Sequence, residues 1–219
     1  MPAMAEQPVH QQVLAGNGWP RAEFLLTLTA LLGFITALIR LKTVYEGLPA
    51  HPLIIHVPVV LIPVSIAGAL SCVARPRCFA RYGIPLCLIS IVAMSSVFLA
   101  MNAGSALEGM LHLTGQPARL IREHSQAAGL LAVVFAAFTA TLILTFAAER
   151  IQGAYGPTGL GIADRCLSPA PTRLALRVAL VVLALAAAFL VFRVGDLGAK
   201  AVWLVKIHAA QPAGLKPGS

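Results

Sequence analysis

The sequence predicts an all-α, multi-pass transmembrane helical bundle of five spans, and three observations carry that expectation. Hydrophobic residues make up 58% of the 219, charged residues 11%, and the mean hydropathy is +0.85, a balance unlike that of a water-facing globular surface. Uncharged runs occupy residues 24–39, 47–74, 82–107, 124–148 and 178–192, and four of them reach or approach the roughly 20 residues with which a helix crosses hydrocarbon. Basic residues stand between and at the ends of these runs, as interface anchors do.

The spans are expected at residues 22–41, 52–74, 83–107, 125–148 and 174–194. The first carries Glu23 and Arg40 at its ends and the fifth Arg177 and Arg193; long basic side chains there lay their stems along lipid and raise their heads to water. Residues 1–21 read as a polar tail rich in Pro and Gly, residues 22–47 as an added helix with its loop, 48–204 as a four-helix membrane domain and 205–219 as a C-terminal tail. The first apolar run ends in Ile39-Arg40-Leu41-Lys42 rather than in a small-residue cleavage site, so it is read as an uncleaved anchor.

A net charge of +8 would suggest nucleic acid in a soluble protein. Here no basic run is interleaved with aromatics, and nucleic-acid binding is not expected. An odd span count puts the termini on opposite sides of the membrane, and counting Lys and Arg by side gives eight against eight. The three arginines packed at Arg75, Arg77 and Arg81 tip the reading towards a cytoplasmic N-terminus. Cys72, Cys78, Cys87 and Cys166 all fall towards that side, which suits free thiols in a reducing compartment, although soft packing residues would serve equally.

Alternating helices gather polar residues on the other face. His51 and His56 open the second span, Glu108 and His112 close the third, Glu123 and His124 open the fourth, and Asp196 follows the fifth. Ionisable groups at the membrane edge are costly and raise a functional hypothesis. Pro52 suits a first helical turn and pushes His51 towards a cap position. Pro58 and Pro63 free the carbonyls of Ile54 and Val59 beside His56. The competing readings are a kinked packing helix at His56, a solvated helix end at His112 and helix capping at His124 beside Ser125. Gly195 and Gly198 are expected to let the chain leave the bilayer, with Trp203 at the interface.

These motifs, Leu48-Pro49-Ala50-His51 running into His56, Ala103-Gly104 with Leu107-Glu108, Arg122-Glu123-His124 followed by Gly129, and Gly195 through Trp203, together resemble the bacterial membrane-protein family known as domain of unknown function 2231, over about residues 48–204. The resemblance implies a four-helix membrane domain whose relatives are sometimes joined to Rieske or cytochrome c modules. Similar proteins often close on Gly-His-Ser-Gly-Ala-Lys, where this chain has Gly195-Asp196-Leu197-Gly198-Ala199-Lys200, so the last span offers a carboxylate in place of an imidazole.

Three functions are weighed. In a redox-linked protein, His56 and His124 would hold haem b or assist a quinone, since axial ligands come from facing helices. In a small metal- or proton-coupled transporter, His51, His56, Glu108, His124 and Asp196 would bind a transition metal. In a non-catalytic subunit or assembly partner of a respiratory-type complex, or one working with electron-transfer proteins, the cluster would only fix helix packing. The expected setting is the bacterial inner (cytoplasmic) membrane, with the lipid bilayer as first partner and the histidine cluster on the outer face. No Gly-x-Ser-x-Gly elbow, His-Glu-x-x-His or phosphate loop is present, and an enzyme is not the favoured reading.

Overall fold

A computed structural model describes residues 44–45, 48–75, 77–110, 114–152 and 165–210. The expected first span at 22–41, with Glu23 and Arg40, the tail with His10, and His112 lie outside the described residues. A two-residue antiparallel pair, β1 (Val44–Tyr45) and β2 (Leu48–Pro49), leads into a short helix α1 (Ala50–Ile54) and then α2 (His56–Ala74). Three long helices follow: α3 (Arg77–Met110), α4 (Gly115–Gln152) and α5 (Ala170–Ala210). Four helical segments among the described residues are long and apolar enough to cross a membrane: Ala50–Ala74, Arg77–Met110, Gly115–Gln152 and Ala170–Leu204.

The last three outrun their apolar runs, because hydropathy marks where lipid lies and not where backbone hydrogen bonding stops. Arg77 and Arg81 at the start of α3, or the Arg119–Glu123 pair in α4, simply continue the helix beyond the apolar run. Gly115 supplies the positive φ of 70° that turns the chain into α4, a conformation glycine adopts without a Cβ penalty.

Successive helices pack on one another and α5 returns against α2, closing a ring. Its interior is formed by Ile62, Ile66 and Ala69 of α2, Leu86, Cys87 and Ala93 of α3, Phe135, Phe138 and Leu142 of α4, and Leu180, Ala184 and Ala187 of α5. Phe135 and Phe138 stack with ring centroids 5.3 Å apart. Large apolar side chains such as Val60, Val133, Leu185 and Phe189 point outward, as lipid-facing residues do, since hydrocarbon and protein interior are equally apolar.

Three local expectations are corrected. His51 is not a cap: α1 begins at Ala50, and the Ile55 amide donates to the His51 carbonyl at 3.1 Å, closing the turn despite the bias that Pro52 imposes. His124 does not cap α4 either, since that helix starts nine residues earlier at Gly115. The backbone does not break at Gly195 and Gly198 to start a separate segment: α5 is unbroken from Ala170 to Ala210. An isolated glycine costs a helix about 1 kcal/mol, and the packing of α5 along α4 offsets it. Beside His56, where the prolines allow a bend, the structure has a turn residue, Ile55, between α1 and α2; Pro58 has no amide with which to hold the Ile54 carbonyl.

Candidate functional site: a buttressed histidine pair

Ahead of Ile55, α1 packs on α3. It carries His51 to the side of α3, where its Nδ1 donates to the Ala100 carbonyl at 2.8 Å. Across the bundle, His124 of α4 makes the same bond to α5, its Nδ1 donating to the Val194 carbonyl at 3.0 Å. The two rings lie 6.4 Å apart between centroids, with planes at 89°. Both are partly buried.

A helical carbonyl already accepts the amide four residues on, and the Cβ of that later residue leans back over it. A side-on imidazole therefore needs that Cβ removed. Four residues beyond Ala100 stands Gly104, and four beyond Val194 stands Gly198. A Cβ at Gly104 would fall 3.0 Å from His51 Cε1 and 3.1 Å from its Nδ1; one at Gly198 would fall 3.1 Å from His124 Cε1 and 3.3 Å from its Nδ1. Each histidine is thus gripped by one neighbouring helix through the same device, a carbonyl and the glycine that uncovers it.

This grip fixes the chemistry of the rings. A carbonyl only accepts, so each Nδ1 carries the proton, and in the neutral ring the lone pair sits on Nε2. That is the protonation pattern of a metal-ligating histidine whose other nitrogen is held by a backbone carbonyl.

The other residues singled out by sequence do not join the pair. His56 is exposed, and its Nδ1 lies 3.3 Å from the Leu53 carbonyl of its own segment. Glu108 is exposed near the end of α3. Glu123 accepts from Arg119 at 3.0 Å, and Asp196 from Lys200 at 2.7 Å, both along their own helices. Among the described residues, no group of three or more His, Cys, Asp or Glu is assembled that could hold a metal ion. Sequence reasoning missed the two carbonyls and the function of the two glycines. The signal available to it was a glycine placed, on each antiparallel neighbour, at the level of a histidine.

The opposite end of the bundle is built from arginines. Arg177 of α5 holds Glu149 of α4 through a 2.6 Å bond from one terminal nitrogen and a 3.1 Å bond from Nε, and the buried Arg150 lies over the Phe146 ring at 5.4 Å. All four cysteines are free thiols.

Fold and site together define a membrane protein: among the described residues, four helices long and apolar enough to span a membrane form a ring, with paired imidazoles clasped between them at one end. The family model described as "Predicted membrane protein (DUF2231)" matches residues 47–211, and this chain belongs to that family. No curated protein and no solved structure matches it.

Proposed function

We propose that this protein is a redox-linked membrane protein that holds a b-type haem between His51 and His124. The observation that carries the reading is the 6.4 Å spacing of the two rings. Two imidazoles bound on opposite sides of one iron, with metal–nitrogen bonds of about 2.0 Å and ring centres about 1.1 Å beyond each nitrogen, would have centroids roughly 6.2 Å apart. Both Nδ1 atoms are committed to carbonyls, which leaves both Nε2 lone pairs for ligation.

The donor count favours haem over a bare ion. Two histidines complete an iron whose other four positions are filled by a porphyrin, but leave a zinc or copper ion two ligands short of a tetrahedral site. The residues that touch the pair are small: Ala100 and Gly104 on α3 meet His51, and Gly198 on α5 meets His124. When bound, such a group supplies one-electron transfer. The chain's own part is to fix both imidazole tautomers and orientations and to shield the pair from water. In this reading His56, first considered as a ligand, is not one. Arg75, Arg77 and Arg81 support a cytoplasmic N-terminal side, so the pair faces the outer half of the bacterial inner membrane, where electron-transfer proteins can approach.

The test is an optical spectrum of the detergent-purified protein, expressed with added haem precursor. A Soret band is expected in wild type and His56→Ala and is lost in His51→Ala and in His124→Ala. Absence of the band in wild type, or its survival in both of the last two variants, overturns the reading.

A further inference from the structure

Within the bundle, far from the histidines, three hydroxyls are sealed from solvent: Ser65 of α2 at 0% exposure, Ser90 of α3 at 0% and Thr139 of α4 at 7%. None of their oxygens has a hydrogen-bonding partner among the described residues. Three further buried or half-buried hydroxyls of α3 and α4 behave otherwise: Ser95, Ser96 and Thr145 each donate to a carbonyl one turn back in their own helix, the usual outlet for a serine or threonine in a helix. A buried polar group left unpaired in an apolar medium is costly. Three on three successive helices call for a common cause.

The helix registers bring them to one level. A Cβ on Gly68 would meet Leu86 Cδ1 at 2.6 Å, so these residues face each other across α2 and α3. Ser65 lies three residues from Gly68 and Ser90 four from Leu86, both towards the histidine end. Those offsets differ by one residue, about 1.5 Å of helical rise. Between α3 and α4, a Cβ on Gly83 would run into the Phe146 ring. Ser90 and Thr139 each lie seven residues from that contact, again towards the histidine end. Seven residues are two turns and return to the same helix face, so Ser90 and Thr139 oppose each other as Gly83 and Phe146 do. Ser90 is the common member of both pairs.

We propose that Ser65, Ser90 and Thr139 bind a single water molecule inside the hydrocarbon layer. One water donates twice and accepts at least once, and buried waters in proteins serve two to four otherwise unsatisfied polar groups. The three hydroxyls supply that complement from three helices, about 21 Å along the bundle from His51 by the fourteen-residue offset of Ser65. The ligand is neutral, as no charged side chain adjoins any of the three in sequence, and its bonds tie α2, α3 and α4 together where the remaining contacts are apolar. This site stands apart from the haem reading and survives its failure.

X-ray hydroxyl-radical footprinting of the full chain in lipid nanodiscs tests it, because radicals generated from a bound water oxidise the side chains beside it even where bulk solvent cannot reach. The reporters are Cys87, one turn from Ser90, and Phe138, next to Thr139, both 0% exposed. Phe79, equally enclosed at 1% but three turns from Ser90, is the control. Oxidation of Phe138 several-fold above Phe79 is expected in wild type and in Thr139→Ser, which keeps the hydroxyl, with a fall of Phe138 to the Phe79 level, and of Cys87 below its own wild-type level, when Ser90→Ala is combined with Thr139→Val. Oxidation of Phe138 no greater than that of Phe79 in wild type overturns the proposal, as does undiminished oxidation of Phe138 and Cys87 in the folded double variant. The wild-type comparison stands if the double variant fails to fold.

Discussion

Replacing Gly104 by alanine is the most direct challenge to the histidine grip. The new Cβ would stand 3.0 Å from His51 Cε1, inside the ~3.5–4.0 Å at which carbon atoms attract. The ring has two responses. It stays, and the overpacking costs about 1–3 kcal/mol; or it swings away and gives up its bond to the Ala100 carbonyl, a net loss of about 0.5–1.5 kcal/mol. The cheaper response sets the effect, close to 1 kcal/mol. Alanine also stabilises a helix by up to about 1 kcal/mol over glycine, so Gly104→Ala alone would sit near zero and mislead. The informative quantity is a difference. Gly195 lies in α5, and a Cβ there meets nothing within 4 Å; Gly195→Ala therefore takes the propensity gain without the clash. Thermal unfolding followed by circular dichroism in one detergent should place Gly104→Ala below Gly195→Ala by about 1 kcal/mol, or 2–4 °C for a chain of this size. Equal midpoints for the two variants would refute the idea that Gly104 exists to uncover a carbonyl for His51.

Gly198→Ala is expected to repeat the Gly104→Ala deficit against the same control, since its Cβ meets His124 Cε1 at 3.1 Å; thermal midpoints check this. Phe135→Ala empties a fully buried ring position stacked on Phe138 and should cost about 3–5 kcal/mol, read as a large loss of resistance to denaturation. Glu149→Ala strips the partner from Arg177, whose side chain is 29% exposed against 12% for the glutamate, and should destabilise by up to about 3 kcal/mol. Lys200→Ala breaks an exposed pair with Asp196 and should shift stability by less than about 0.5 kcal/mol; a larger loss than for Glu149→Ala would contradict the assignment of the Arg177 pair as the structural one.

Spanning helices, their order and their lipid-facing character could be read from the sequence, because in hydrocarbon each backbone amide must be satisfied within its own segment and only a helix of sufficient apolar length does this. That is a local requirement, and composition reports it directly, as it does for the runs that became α2, α3, α4 and α5. The freed Ile54 carbonyl was legible too, since Pro58 removes a particular amide, but not that Ile55 would divide α1 from α2. Which face each polar residue turns to was not. His51 and His56 are five residues apart on one segment, and nothing in their immediate neighbourhood distinguishes the ring held 2.8 Å from a carbonyl of another helix from the one held only by its own segment. The fates of Glu123 and Asp196 turn on ion pairs along their own helices, competing with any approach to the pair.

The glycines divide the same way. Composition shows that Gly104, Gly195 and Gly198 carry no side chain; only the packed bundle shows that two of them face an imidazole and the third faces open space. Helix formation is decided within a few residues of chain, whereas rotation and register between helices are decided by the fit of many distant side chains at once, and for that reason the histidine pair and the level shared by Ser65, Ser90 and Thr139 exist only in the tertiary structure.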